Sequence, residues 1–262
     1  MGEAKRRRKL TQQVLERFGF CIYCGGSSIA TTADHVPPRA VFNLRGRPNG
    51  LEFPACDECN RASRVDEQVV AMFSRVYPDA ASVAERDELS SLIRAVRNNS
   101  PEIIDELKPS FRQNKIARQS GVNSLGGGVL NCRGPRLNRA ILSFAGKMGY
   151  ALHFHLLGKP VSPAGAASVW WLTNYQAMKG EVPEHLQSLL GAPETLRQGR
   201  WEVSNQFQYA SVGAVEGTMS AHFASFRYSF AICAFVSENH VDVTPPKGVG
   251  HVSVFRPGWL KL

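Results

Sequence analysis

Hydrophobic residues recur every three or four positions in two long stretches of the chain, which is the pattern of amphipathic helices. The first stretch covers residues 65–107 and is interrupted by prolines. Its apolar positions are Val69, Val70, Phe73, Val76, Leu89, Leu92, Ile93 and Val96. The second stretch ends before Gly158, which suits the end of a helix. Its single apolar face is made of Leu137, Ile141, Phe144, Met148, Leu152 and His155, where the histidine is interpreted as a core or boundary residue.

The C-terminal third alternates with a period of two, which is typical of strands. Residues 220–236 keep this alternation for longer than one ordinary strand, so we expect a bend or bulge within them. Residues 205–212 predict a second strand, and 181–191 a short helix. Trp170 and Trp171 should face opposite ways if they lie on a strand. The pattern predicts an α+β fold whose larger C-terminal domain has antiparallel strands.

The prediction divides the chain into five segments. Residues 1–17 form a basic arm and a short helix, and 18–68 form a small module rich in Cys, Gly, Pro and Arg. A helical segment follows at 69–118. Residues 119–136 contain many glycines and serines and are predicted to be a linker. Residues 137–262 form an α+β domain whose function the sequence does not identify.

The charge balance changes this picture by suggesting a partner. The 262 residues include 31 Lys and Arg but 22 Asp and Glu, a net charge of +9. An excess of this size favours a polyanion, first of all a nucleic acid, although a basic protein without such a partner has the same composition. We find neither an apolar membrane span nor a secretory signal, so we expect a cytoplasmic protein with reduced thiols.

Four of the six cysteines form two C-x-x-C pairs, Cys21 with Cys24 and Cys56 with Cys59. Each such turn aims two thiolates at one point, and two turns together complete a tetrahedron around Zn²⁺. A module this small buries little apolar surface, so a metal would stabilise it. Four protein ligands leave no open position, and the zinc is therefore predicted to be structural. Unrelated buried or redox thiols are the alternative.

Between and beside the pairs lie the residues that a one-metal phosphodiesterase needs. Asp34 and His35 are adjacent, Asn49 lies further along the loop, and Asn60 follows Cys59. Carboxylate and amide oxygens suit Mg²⁺, and a neutral imidazole can take a proton from water. Neighbours on a strand face opposite ways, so Asp34 and His35 can share a site only if the chain turns there. Pro37 and Pro38 make such a turn plausible. The alternative is a polar pair on the surface of a zinc-bound loop.

This order of residues resembles the HNH endonucleases, which have the ββα-metal fold, and in particular their branch with two C-x-x-C pairs. The resemblance covers residues 18–68. It implies that Asp34 and Asn60 ligate a catalytic Mg²⁺ or Mn²⁺, that His35 is the general base, and that Asn49 constrains the loop that carries the base. Asn43 is an available alternative to Asn49 for this last role.

The resemblance is incomplete at the second ligand and beyond it. Asn60 stands where the family most often has histidine, and Arg64 occupies the position of a further ligand in some members. Glu67 lies two turns after Asn60 on the same helical face and could assist through water.

Arginines are concentrated in the same segment, where bidentate contacts to phosphate would hold a nucleic-acid backbone. The predicted clamp consists of Arg39, Arg45, Arg47, Arg61 and Arg64. The alternative is that these side chains only solvate a small domain.

The resulting hypothesis is a metal-dependent endonuclease acting on DNA, with RNA not excluded. The second hypothesis is a zinc-dependent nucleic-acid-binding protein without catalysis. A third concerns the C-terminal domain, which would gate the nuclease through a regulatory protein or small molecule, in bacterial or phage defence. A one-site module cuts a single strand, so a double-strand break would need two copies of the chain, as in a homodimer.

Overall fold

The computed structural model of the chain describes residues 11–76, 82–119, 129–178, 191–244 and 251–262. The basic run at Lys5–Lys9, half of the predicted linker (120–128) and all but the last residue of the predicted 181–191 helix lie outside these ranges. Among the described residues, none of the helices is both long enough and apolar enough to cross a membrane.

The N-terminal part is a short antiparallel hairpin followed by helices. After helix α1 (11–17), strand β1 (Thr32–His35) pairs with β2 (Glu52–Ala55), and His35 lies opposite Glu52. Helices α2 (Asp57–Ala62) and α3 (Arg64–Phe73) follow directly. The order strand, strand, helix is therefore present where the cysteine pairs lie.

The helical segment matches the apolar periodicity, with breaks at the prolines. It contains α4 (Val83–Asn99), α5 (Pro101–Glu106) and α6 (Phe111–Gln119). Pro101 begins α5, which is a position where the missing proline N–H is not needed. The predicted long helix is also present as α7 (Pro135–Leu157), and Gly158 ends it in a left-handed conformation.

A five-stranded antiparallel sheet forms the C-terminal part, in the order β6-β7-β8-β3-β9. Its strands are β3 (Ala166–Thr173), β6 (Phe207–Gly213), β7 (Met219–Phe226), β8 (Phe230–Ser237) and β9 (Val252–Phe255). Helix α8 (Asn174–Met178) follows β3, and a two-stranded pair consists of β4 (Arg197–Gln198) and β5 (Trp201–Glu202). The α+β class and the antiparallel pairing are confirmed, and so is the strand predicted at 205–212.

The expected bend in residues 220–236 is a complete chain reversal. Strands β7 and β8 form a hairpin in which Phe226 pairs with Phe230, and Arg227 in the turn has φ 51°. Three residues separate the paired phenylalanines, so even-numbered side chains face the core on both strands. The period-two pattern is therefore the same for one bent strand and for this hairpin.

Helix α7 packs against the sheet at close range because two of its residues lack side chains. A Cβ atom at Gly146 would lie 2.8 Å from the Phe255 ring, and one at Gly149 would lie 2.8 Å from the Cβ of Ala234. On the same helix, Asn138 accepts a hydrogen bond from the indole of Trp171 at 2.8 Å. Trp171 thus faces α7, and Trp170 belongs to a separate apolar cluster, as the alternation predicted.

One buried cluster runs through both predicted units. It includes Phe53 of the hairpin and Phe154 of α7, whose rings lie 6.2 Å apart. The core therefore does not divide between residues 18–68 and 137–262, while the domain boundaries themselves stay predictions. Of the two alternatives for His155, core or boundary, the core is wrong, because the residue is exposed and its ring lies 6.2 Å from that of Tyr209.

A chain of buried polar groups crosses the interface between α7 and the sheet. The carboxylate of Glu238 can only accept, so it fixes the direction of the whole chain. His153 donates to it from Nε2 at 3.2 Å and accepts at Nδ1 from Ser220 at 2.7 Å. Ser220 accepts from Nε2 of His222 at 2.7 Å, and Nδ1 of His222 accepts from Ser211 at 2.8 Å. Both imidazoles are neutral in this arrangement.

Acid should destabilise the protein through these two histidines. Burial lowers the pKa of His153, and it lowers the pKa of His222 to about 3. Unfolded histidine has a pKa of about 6.5, so below that pH the unfolded chain binds more protons and stability falls. We expect His222 to account for about 2 kcal/mol of lost stability between pH 7.5 and pH 5.0, measured by urea unfolding.

His222→Asn should reduce that pH dependence, even where it lowers stability at pH 7.5. The matched control is His251→Gln, because His251 is exposed and should leave the slope unchanged. An equal slope in the wild type and in His222→Asn would contradict this assignment.

Candidate functional site

The four paired cysteines converge on one point inside the N-terminal part. All four are buried, and their sulfur atoms lie within 4.8 Å of one another. Cys24 Sγ lies 3.8 Å from Cys56 Sγ and 3.5 Å from Cys59 Sγ. Four sulfurs at about 2.3 Å from a tetrahedral zinc would be about 3.8 Å apart. The cluster could therefore hold a zinc ion.

Local backbone geometry brings the sulfurs together. Cys24 ends a 3-10 turn (Ile22–Cys24), and Gly25 follows it with φ 61°, a left-handed conformation that suits glycine. Cys56 lies just before α2 and Cys59 lies within it. A hydrogen bond from Cys59 is the main reason why the pKa of Cys21 is lowered, the same bond raises the pKa of Cys59, and burial raises that of Cys24.

Beside this cluster lies a cavity of about 340 Å³. It is bounded by the end of β1, the start of β2, and helices α1 to α3. The residues that line it are Thr11, Ala33, Asp34, His35, Pro38, Arg39, Glu52, Asn60 and Glu67. Three predicted site residues, Asp34, His35 and Asn60, thus share one cavity, together with Glu67, which we had considered as an assisting residue.

Asp34 and His35 both line the cavity although both lie within β1, where they pair with Phe53 and Glu52, so the turn that we expected between them is absent. Asp34 is 4% exposed, and its Oδ2 accepts a hydrogen bond from the hydroxyl of Tyr23 at 2.8 Å. Burial and the neighbouring Asp34 raise the pKa of Tyr23, so its hydroxyl stays protonated and donates. His35 is more open, with a side chain that is 29% exposed.

The second contact of Asp34 comes from helix α7. Lys147 Nζ lies 2.7 Å from Asp34 Oδ2 and 2.8 Å from Ser63 Oγ, and it also contacts Glu67 Oε1. Burial by itself lowers the pKa of Lys147, but the carboxylates of Asp34 and Glu67 outweigh it, and the net effect is a raised pKa. The amine is therefore an ammonium ion at neutral pH.

His35 lies between an acid and a guanidinium. Its Nε2 is 3.5 Å from Oε1 of Glu52 and 3.4 Å from Nη2 of Arg39. The side chain of Glu52 is 8% exposed, and Arg47 Nη1 lies 3.6 Å from the same oxygen. The carboxylate of Glu52 and the guanidinium of Arg39 therefore act on the same imidazole nitrogen with opposite charge.

The two asparagine assignments have different outcomes. Asn60 lines the cavity, and its amide nitrogen donates to Thr32 at 3.3 Å, which leaves the amide oxygen for a ligand. Asn49 is half-buried in the loop before β2 and is not among the described residues that line the cavity. Its alternative, Asn43, accepts from Arg75 at 2.9 Å and donates to Glu85 at 3.0 Å. Asn43 therefore anchors this loop to the helices behind it.

The predicted arginine clamp divides into surface residues and one structural residue. Arg45, Arg61 and Arg64 are exposed, Arg61 pairs with Asp57, and Arg39 lines the cavity. Arg47 is 7% exposed and donates to the backbone carbonyls of Val36, Pro48, Gly50 and Leu51. Its place in the clamp was wrong, because a guanidinium used in this way is not available to phosphate.

Sequence reasoning missed three groups at the site, Lys147, Tyr23 and Glu52. Glu52 was predictable in principle from its place opposite His35 in a two-stranded hairpin. Tyr23 lies inside the first C-x-x-C pair, where we weighed only the cysteines. Lys147 follows Asp34 by more than a hundred residues and carries no local signal.

Comparison of the chain with models of known protein families, with curated proteins and with solved structures finds no match.

Metal analysis should find one zinc ion for each chain, removed by Cys59→Ser. Loss of one thiolate breaks the tetrahedral set, so we also expect a lower unfolding temperature, and a chelator should lower the unfolding temperature of the wild type. Cys132→Ser is the control because Cys132 lies outside the cluster. Absence of zinc from the wild type, or its loss in the control, would contradict the assignment.

Proposed function

We propose that the chain is a metal-dependent endonuclease that hydrolyses phosphodiester bonds in DNA, with RNA as the alternative substrate. The observation that carries the proposal is the cavity that Asp34, His35 and Asn60 share beside the cysteine cluster. The resemblance of residues 18–68 to HNH endonucleases assigns roles to the same three residues. Zinc in the cysteine cluster would have a structural role.

The oxygen donors at the cavity fit one Mg²⁺ or Mn²⁺ ion. Magnesium keeps several waters and needs only one or two protein ligands besides the substrate phosphate. Asp34 would hold it through Oδ1, since the contacts from Tyr23 and Lys147 both use Oδ2. Asn60 would supply its amide oxygen. The bound ion supplies positive charge for the departing 3′ oxygen.

The remaining work belongs to the side chains of the cavity. His35 takes a proton from a water molecule, whose oxygen forms the new bond to phosphorus while the bond to the 3′ oxygen breaks. The products are a 5′-phosphate and a 3′-hydroxyl, because the departing 3′ oxygen takes a proton from solvent water and His35 later returns its own proton to solvent. Glu52 stabilises the imidazolium that results, and Arg39 binds the phosphate that enters the cavity.

One observation favours a second function, binding of nucleic acid without catalysis. Asp34 is nearly buried, and its Oδ2 already accepts from Tyr23 and Lys147. In this second function Asp34 would only hold α7 against the hairpin. The zinc-bound module and the exposed arginines would then form a docking surface for phosphates.

The proposal extends to regulation and to the number of subunits. Residues 137–262 would gate cleavage by binding a regulatory protein or a small molecule, as a nuclease in bacterial or phage defence requires. A homodimer would supply the second site for a double-strand break.

His35→Ala should lower the rate of plasmid nicking in Mg²⁺ by roughly 10²- to 10⁴-fold, because a general base contributes that much to such reactions. EDTA should abolish nicking in the wild type. His251→Ala is the control, since this histidine is exposed and far along the chain from the cavity residues. Nicking that persists undiminished in His35→Ala would remove the assignment of the base.

Arg64→Ala and Arg47→Ala should separate phosphate binding from folding. Arg64 is exposed, so its loss should weaken DNA binding across sequences and reduce the salt slope by about one. Arg47→Ala leaves buried carbonyls without donors and should lower the free energy of unfolding by about 2 kcal/mol. Fluorescence anisotropy at several salt concentrations and urea unfolding measure the two effects. An Arg64→Ala variant with an unchanged salt slope would exclude this residue from the clamp.

A further inference from the structure

The ammonium group of Lys147 is a fixed part of the candidate site. Lys147 is 0% exposed, and its three protons meet three acceptors, on Asp34, Glu67 and Ser63. The ring of Tyr23 lies 5.5 Å from the nitrogen and closes another side. A surface lysine turns freely in water, whereas this one has no donor left for any other partner.

The ammonium changes the charge that the two acids present to the cavity. Both Asp34 and Glu67 line that cavity, and burial raises the pKa of Glu67 while Lys147 opposes that rise. Lys147 contributes one positive charge in direct contact with both. A divalent cation that approaches Asp34 from the cavity therefore meets a carboxylate that is already partly neutralised, and it is repelled by the ammonium behind it.

We propose that Lys147 keeps divalent-cation binding at Asp34 weak until a phosphate group of the nucleic acid binds beside it. The inference rests on the proposed function, since it concerns the metal of that same site. Lys147 is buried, contacts Asp34 and is not among the described residues that line the cavity. It is therefore a positioning residue, which acts through the Oδ2 atom of Asp34.

The bound phosphate supplies negative charge in place of the charge that Lys147 neutralises. Arg39 lies at the cavity and draws the phosphate in, and the phosphate oxygens add ligands to a cation that has few from the protein. By linkage, nucleic acid raises the affinity for the cation by the same factor as the cation raises the affinity for nucleic acid. Metal and substrate thus bind together.

The helix that carries the ammonium lies in a different part of the chain from the two acids. Lys147 lies on α7, whereas Asp34 and Glu67 lie on β1 and α3. Its position is set by the packing of α7 on the large sheet, next to Gly146. The C-terminal region therefore sets the cation affinity of a site whose other described groups come from the first 67 residues.

The test is a titration of the full-length, zinc-loaded protein with Mn²⁺ in the absence of nucleic acid, followed by the electron paramagnetic resonance signal of the free ion. Lys147→Met keeps the length of the side chain and removes the charge. It should bind Mn²⁺ about tenfold more tightly than the wild type, because the repulsion between two cations a few ångströms apart is gone. Asp34→Asn should abolish Mn²⁺ binding at this site, both in the otherwise wild-type protein and in Lys147→Met.

The matched control is Lys108→Met. Lys108 is exposed and pairs with Asp105 on the surface, so its loss should leave the affinity for Mn²⁺ unchanged. A purely structural role for Lys147 would change the unfolding temperature without tightening Mn²⁺ binding, and the titration separates the two roles.

Lys147→Met removes the counter-ion of two buried acids and can fail to fold. The second comparison is therefore Glu67→Gln against the double variant Glu67→Gln with Lys147→Met, in which one acid and the lysine are neutralised together. The double variant should again bind Mn²⁺ about tenfold more tightly than Glu67→Gln alone.

Two results would overturn the inference, and they differ in what else they remove. Mn²⁺ binding that depends on Asp34 but is no tighter without Lys147 sinks the inference alone and leaves the endonuclease proposal standing. Absence of Asp34-dependent Mn²⁺ binding in every folded variant removes the metal ligand of the proposed function, and the inference with it.

Discussion

The fold and the candidate site both depend on the buried ion cluster of Lys147, Asp34 and Glu67. Taking three charges out of water costs several kcal/mol for each ion, and mutual attraction offsets this only where the remaining hydrogen bonds are complete. Here all three ammonium protons are used, and Asp34 gains a further donor from Tyr23. The same contacts hold helix α7 against the N-terminal hairpin, so the geometry of the cavity depends on both the hairpin and α7.

Local patterns predicted the parts of the structure that local physics controls. The C-x-x-C spacing identified four cysteines that do converge, and apolar periodicity identified α7 and the strand at 207–213. Asp34, His35 and Asn60 do share a cavity, which the order of residues had suggested. Each of these features is encoded within a stretch of fewer than forty residues, the longest being Cys21 to Cys59.

Other features depend on long-range packing, or on sequence patterns that two different structures satisfy equally well. The alternation in 220–236 could not reveal the turn at Arg227, because a reversal of this length keeps the same side chains on the same face. Arg47 resembled its arginine neighbours, and only the folded loop shows that its donors are used by the backbone. Lys147 is one lysine on a largely apolar helix, and its role exists only once α7 meets the hairpin.

The tight contact between α7 and the sheet has a further consequence for how the protein can vary. Gly146 and Gly149 bracket Lys147, and both face neighbours too close to admit a methyl group. An alanine at either position would force the helix or the side chains that it meets to shift, and a shift of the helix would change the distances from the ammonium to its carboxylates. The contact between α7 and the sheet thus fixes the position of the Lys147 ammonium on the opposite side of the helix. Substitution of either glycine would therefore disturb the ion contacts of Lys147 before it disrupted the hydrophobic core.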